Sequence, residues 1–145
     1  MPEKETLERA EEDKREGKAP STQAGEFVRE EIEHVREGKH GARSTKQAIA
    51  IGLSKARRAG VKLKPPTKGS KNTKKQAARD LKKGKKKGTK KSVKRSRATS
   101  AALKREGRSA ASKRALSRQA RSAAKKRSAA SRSRAAKKAV ATRKK

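Results

Sequence analysis

The chain has no cysteine, no tryptophan and no tyrosine, and Phe27 is its single aromatic residue. Without cysteine it forms neither a disulfide framework nor a cysteine-based zinc site, and nothing in it indicates an oxidising compartment. The start Met1–Glu5 lacks the cationic and apolar regions of a signal peptide, and no run approaches the ~18 apolar residues of a membrane span. These absences predict a soluble cytoplasmic protein with no membrane partner.

Large apolar residues are also scarce, since Leu, Ile, Val and Phe together make up about a tenth of the 145 residues. Highly charged chains with less than ~20% of these residues tend to be disordered. Ordering a residue costs roughly 1–2 kcal/mol of conformational entropy, and little apolar surface is present to offset that cost. Most of the chain is therefore predicted to lack a core of its own.

Acidic residues nearly disappear after residue 38. Of the 14 acidic residues, 12 lie within residues 1–38, which carry a net charge of −5, whereas the remainder of the chain carries +38. A positive charge of this size opposes compaction, so we interpret it as a surface for a polyanionic partner. Because the basic part has no aromatic residue for base stacking, duplex DNA is favoured over single-stranded nucleic acid.

Three helices are predicted in the first 63 residues. The acidic segment, residues 1–18, is predicted to form a helix from Glu3 to Glu16, with Gly17 as its stop signal. A second helix runs from about Thr22 to Glu37 and is ended by Gly38. A third starts near Thr45, after a Ser-x-x-Gln capping box, and ends at Gly60 in the left-handed C-cap position.

The second and third helices are predicted to form a helical hairpin over residues 20–63. Their apolar positions recur at the 3.6-residue period, and the predicted hairpin core consists of Phe27, Val28, Ile32, Val35, Ile49, Leu53 and Ala56. The connection between the helices is longer than a helix-turn-helix turn, so we favour a packed hairpin over a sequence-specific reader. Such a hairpin is near the ~40-residue lower limit for independent folding, so a homodimer partner or DNA is expected to support it.

The basic part divides into two segments by composition. Residues 64–94 are rich in Lys and Gly and predict a disordered linker, whereas residues 95–145 are rich in Arg, Ala and Ser and predict a tail that becomes helical on binding. Leu103 and Leu116 are too sparse to form a core-facing stripe. The predicted fold class is thus mostly α, with a short N-terminal helix, a small hairpin and a disordered or conditionally helical basic tail.

Candidate phosphate-binding side chains occur in the third helix, the linker and the tail. They are Lys46, Lys55, Arg57, Arg58, Lys85, Lys86, Lys87, Lys90, Lys91, Arg95, Arg97, Arg114, Arg118, Arg121, Lys125, Lys126, Arg127, Arg132 and Arg134. Lys acts as a flexible point charge, while Arg can contact two phosphate oxygens at once.

Catalytic and metal chemistry have little basis in the sequence. His34 and His40 have glutamates nearby, but a metal site needs more convergent ligands, and we predict neither metal nor cofactor. The Lys-Gly-rich stretch lacks the Walker spacing, and no nucleophile with a base can be assembled, so we predict that the protein is not an enzyme.

Residues 21–32 (STQAGEFVREEI) and 36–54 (REGKHGARSTKQAIAIGLS) resemble a family of small uncharacterised bacterial proteins. The resemblance covers about residues 1–63 and implies a bacterial source. The Lys-, Ala-, Ser- and Arg-rich region after Pro66 is similar in composition to the tails of linker histones and bacterial histone H1-like proteins, although it contains no proline.

These observations lead to one principal functional hypothesis and two alternatives. The principal hypothesis is a histone H1-like, nucleoid-associated protein that binds duplex DNA without sequence preference and can bridge duplexes. The first alternative is an RNA- or ribosome-associated protein. The second is a protein-interaction module in which the acidic head regulates the basic tail.

Overall fold

The computed structural model describes residues 1–86, 88 and 90–144. Over these residues the protein is all-helical, with seven α-helices and no strand, which confirms the predicted mostly α class. The helices are α1 (Lys4–Arg15), α2 (Pro20–Glu37), α3 (Thr45–Arg58), α4 (Lys71–Lys85), α5 (Val93–Lys104), α6 (Lys113–Lys125) and α7 (Ala129–Arg143), with a 3₁₀ turn at Ser109–Ala111 before α6.

The ends of the first three helices follow from local sequence. Ser44 caps α3 by accepting a hydrogen bond from the backbone N–H of Gln47 at 3.2 Å, as the Ser-x-x-Gln spacing predicts. Gly60 has φ +105°, and the N–H of Val61 donates to the carbonyl of Ala56 at 3.1 Å, which completes a Schellman closure. α2 begins at Pro20, slightly earlier than predicted, because proline is well suited to the first turn of a helix.

One stripe of α2 supplies two apolar clusters. The phenylalanine cluster contains Ala10, Ala24, Phe27, Ala56 and Val61, with Leu53 and Leu63 packed against it. The alanine cluster contains Ile32, Val35, Ala42, Ala48, Ala110 and Ala111, with Val28 and Leu116 packed against it. Of the predicted hairpin core, Phe27, Ile32, Val35 and Ala56 are buried, and Val28, Ile49 and Leu53 are half-buried.

The prediction of a disordered linker and tail is wrong. Residues 64–94 contain α4, which packs on α3, and α5, α6 and α7 make up most of residues 93–143. Serine side chains cap the N-termini of α4, α5, α6 and α7, each accepting a hydrogen bond from the backbone N–H three residues later. These caps divide the basic region into short helices. A serine before each of these segments is the local sequence signal that predicts such a division.

The tail also completes the hairpin. Ala110 and Ala111 are buried in the alanine cluster, and their carbonyls accept hydrogen bonds from Thr45 Oγ1 at 2.6 Å and Arg36 Nε at 2.9 Å. Gly41 permits this close approach, because a Cβ at this position would overlap the backbone of Glu106. A hairpin that was expected to need a second chain or DNA therefore receives part of its core from its own tail.

The close contact between α2 and α3 at Gly52 gives a testable stability difference. A Cβ added at Gly52 would lie 2.6 Å from Cα of Val28, whereas one added at Gly25 meets nothing within 4 Å. We expect Gly52→Ala to lower the free energy of unfolding by about 1–3 kcal/mol through overpacking. The control Gly25→Ala should raise it by roughly 0.5–1 kcal/mol, because alanine favours the helix. Urea unfolding followed by circular dichroism measures both, and shifts of the same sign would contradict the packing.

Candidate nucleic-acid interface

The helix α6 is anchored on one side and exposed on the other. Ser112 starts it by accepting a hydrogen bond from the N–H of Ala115 at 3.1 Å, and Leu116 packs against the alanine cluster. Leu103 and Leu116 were predicted to be too sparse for a core-facing stripe, and no residue of α6 is fully buried. Leu116 nevertheless contacts the core, because Ala110 and Ala111, just before the helix, bring α6 onto the hairpin.

The exposed side of α6 carries a row of cations. Arg114, Arg118, Arg121 and Lys125 are spaced by four, three and four residues, which places them on one helix face over roughly 16 Å. We call these four residues the α6 row. With Ser117, Ser122 and Lys126 they line a shallow open groove of about 680 Å³. All five cations were among the predicted phosphate-binding residues.

The acidic residues of the protein do not neutralise this row. In the described ranges, every ion pair made by an acid of residues 1–38 ends on a cation at or before Lys55, and Asp80 pairs with Arg58. The hairpin instead contacts the tail through the carbonyl groups and the side chains of Ala110 and Ala111. The positive face of α6 therefore stays available to an outside anion.

Two of the candidate cations on α3 are used inside the molecule. The ammonium of Lys55 lies 2.6 Å from Glu31 Oε2 and 3.6 Å from Glu30 Oε1, and these two carboxylates are 1% and 3% exposed. Arg57 is buried and donates from Nε to the carbonyl of Leu63 at 3.1 Å. Burial also lowers the pKa of Arg57, which is partly opposed by Asp80.

Arg58 is also engaged, although its side chain is half-exposed. Its Nε lies 2.8 Å from Oδ1 of Asp80, a buried carboxylate that also accepts hydrogen bonds from Ser54 at 2.6 Å and Gln76 at 3.2 Å. This arrangement joins α3 to α4. Of the four α3 cations, Lys46 alone is exposed without such a contact among the residues that the structure covers, and we remove Lys55, Arg57 and Arg58 from the candidate interface.

The remaining candidates are exposed but dispersed. Lys85 and Lys86 lie at the end of α4, and Lys90 and Lys91 lie in the following connection. Arg95 and Arg97 lie on α5, and Arg132 and Arg134 lie on α7. Arg127 lies just before α7 and donates a hydrogen bond to Ser131 Oγ at 3.1 Å. Lys87 falls outside the described residues. No residue of α5, α6 or α7 is fully buried, but α6 packs on α3 and on the 3₁₀ turn, and its Leu116 contacts the alanine cluster.

The helices of the described ranges offer no candidate for a membrane span. Comparison with curated proteins and with solved structures gives no match. A family model does match, over residues 13–69, a segment that contains α2 and α3 and ends before α4. In this segment the chain is similar to a family of unknown function, DUF6496.

Proposed function

We propose that the protein binds duplex DNA through its phosphates, without sequence preference, and that the α6 row is the centre of the contact. The observation that carries this proposal is the row itself: four exposed cations on one face of a helix whose other side carries Leu116, which is half-buried against the alanine cluster. In this proposal the protein acts as a histone H1-like, nucleoid-associated protein of a bacterium.

The anchoring of α6 favours binding because it lowers the entropic cost of ordering the interface. Ordering a flexible side chain or segment at an interface costs free energy, so a row presented by a docked helix binds more tightly than the same charges on a free chain. Around this centre, the exposed cations of α5 and α7 extend the contact along the duplex. Each phosphate they neutralise releases counterions and adds affinity that depends strongly on salt.

The side chains present favour backbone contact over base reading. Phe27 is buried in the phenylalanine cluster, so the surface of the described residues offers no aromatic platform for unstacked bases. Lys and Arg on helix faces suit phosphate oxygens, and Arg also enters a narrow minor groove. A duplex is therefore the form of nucleic acid that these helices suit best.

A salt titration of the full chain tests the proposal. Two short fluorescent duplexes of unrelated sequence are titrated at NaCl concentrations from about 50 to 200 mM, and the dissociation constant is read from anisotropy. With 6–10 phosphate contacts we expect a loss of roughly 10³–10⁵ in affinity over this range and equal affinity for both sequences. A flat salt response, or a strong preference for one duplex, would contradict the proposal. Structured RNA that outcompetes both duplexes would instead support the RNA-associated alternative.

A further inference from the structure

Two histidines converge on a buried carboxylate. Glu31 and His34 lie on α2, and His40 lies in the connection to α3. The Glu31 side chain is 1% exposed, and its Oε1 lies 2.6 Å from His40 Nε2. One ligand atom from each of the three residues falls within 4.8 Å of the others, although the sequence had predicted that no such convergence existed.

The orientation of His40 is fixed from outside the cluster. Its Nδ1 lies 2.9 Å from the carbonyl oxygen of Gly41, to which it donates, so Nε2 is directed at Glu31. A hydrogen bond of this kind is what usually orients a metal-binding histidine. In the neutral ring Nε2 is then an acceptor facing a carboxylate oxygen, and two acceptors at 2.6 Å need a proton or a cation between them.

A second buried carboxylate independently indicates a missing positive charge. Glu30 is 3% exposed, and although its Oε2 accepts a hydrogen bond from the backbone N–H of Glu3 at 3.2 Å, its Oε1 has no hydrogen-bond partner. That oxygen lies 3.9 Å from His34 Nε2. The ammonium of Lys55 faces both Glu30 and Glu31, so two buried negative charges meet one fixed positive charge.

The groups at the rim are also charged. Glu3 Oε1 lies 2.9 Å from His34 Nε2 and 3.0 Å from Lys39 Nζ, and these hydrogen bonds lower the pKa of Glu3 to about 2. The amino group of Met1 also lies in the electric field of this cluster. Burial, Lys91 and Lys55 lower its pKa, and the negative charges of Glu30 and Glu31 partly oppose that shift. Glu3 is half-exposed, so its hydrogen bond to His34 lies at the surface of the cluster.

We propose that Glu31, His34 and His40 form a binding site for a divalent transition-metal ion of the zinc class, with Glu30 Oε1 available as a fourth donor. Two imidazoles and a carboxylate are a common ligand set for Zn²⁺, and Glu30 and Glu31 together carry one negative charge more than Lys55 offsets. The ion would join α2 to the loop at Gly41, where the tail hydrogen-bonds to the hairpin. Binding would therefore stabilise the docked tail.

Metal titration of the untagged full chain tests this site. Co²⁺ is added as a spectroscopic probe and is then displaced by Zn²⁺. We expect one ion per chain, visible absorption from a tetrahedral Co²⁺ site, and a rise in the unfolding temperature with Zn²⁺. His34→Ala and His40→Ala should each weaken Zn²⁺ binding by at least ~10-fold.

The matched control compares two glutamates of one helix. Glu31→Gln and Glu33→Gln each remove one negative charge from α2, but Glu33 is exposed and paired with Arg29. We expect a loss of affinity for Glu31→Gln and little change for Glu33→Gln. Equal losses in the two variants would mean that general acidity, rather than the cluster, attracts the ion and would overturn the proposal.

Nuclear magnetic resonance of the unmodified protein tests the site without any substitution that alters folding. The ¹⁵N signals of His34 and His40 should shift at Nε2 when Zn²⁺ is added. Unchanged signals, with both ring nitrogens of His40 protonated, would assign the short contact to an imidazolium–carboxylate pair and overturn the metal site. Either result leaves the salt dependence of DNA binding as a separate measurement.

Discussion

Replacing Lys55 by alanine should lower the free energy of unfolding by about 3–5 kcal/mol. The ammonium of Lys55 lies 2.6 Å from Glu31 Oε2 and 3.6 Å from Glu30 Oε1, and both carboxylates are buried. Removing the partner leaves charge in a site from which water is excluded, and this costs far more than the loss of a surface ion pair. Native domains are stable by only about 5–15 kcal/mol, so the variant should be near its limit of stability.

Lys46 provides the matched control because it lies on the same helix and is exposed. Lys46→Ala should change the free energy of unfolding by less than about 0.5 kcal/mol. The salt dependence of DNA binding provides a second measurement. Because Lys46 is exposed and can contact phosphate, Lys46→Ala should reduce the salt slope by about one unit. Urea unfolding and anisotropy measure the pair, and equal stability losses at the two positions would contradict the buried role of Lys55.

A double variant separates the ion pair from general damage to the fold. Glu31→Gln removes one of the two carboxylates, so adding it to Lys55→Ala should recover part of the lost stability. If the losses of the two single variants simply add, Lys55 and Glu31 do not interact and the charge argument fails.

Neutralising the α6 row should reduce the salt slope of DNA binding by about 3–4 units, because each phosphate contact contributes close to one unit. The variant carries glutamine in place of all four residues of the row. Their side chains are exposed, and Leu116 still packs against the alanine cluster. We therefore expect the fold to be kept, with unchanged helix content by circular dichroism.

The control for the α6 row removes the same charge from α7. Arg132, Arg134, Lys137 and Lys138 are exposed cations of a helix that contributes no residue to either apolar cluster, and all four are replaced by glutamine. We expect the α6 variant to lose at least ~10-fold more affinity than this control, because the α6 cations are presented by an anchored helix. Equal losses would indicate that net charge alone determines binding and that the row has no special place in it.

Deletion of the tail is a poor test of DNA binding by this protein. Ala110 and Ala111 are buried with Ile32 and Val35, so a fragment that ends before the tail exposes part of the hairpin core. Loss of DNA binding in such a fragment would then mix lost charge with lost structure. Exposed substitutions on α6 and α7 change the charge and leave this core in place.

The first three helices were largely predictable because their signals are local. Capping residues, glycine stops and the 3.6-residue spacing of Phe27, Val28, Ile32 and Val35 act within one or two turns of helix. The tail lacked such a stripe, and its alanines looked like surface helix formers. Their burial depends on contacts with residues more than sixty positions away, such as Thr45 with Ala110, which no local pattern contains.

The sequence by itself determined the segregation of charge, the helical class and the limits of α1 to α3, since these follow from composition and from interactions between near neighbours. Only the tertiary structure decided which cations are available and which are used internally. Lys46 and Lys55 are identical in chemistry and lie on one helix, yet one is exposed and the other lies against Glu31. The same packing placed the α6 row on the surface and brought two histidines to one buried carboxylate, because burial and charge pairing depend on elements that are distant in the chain.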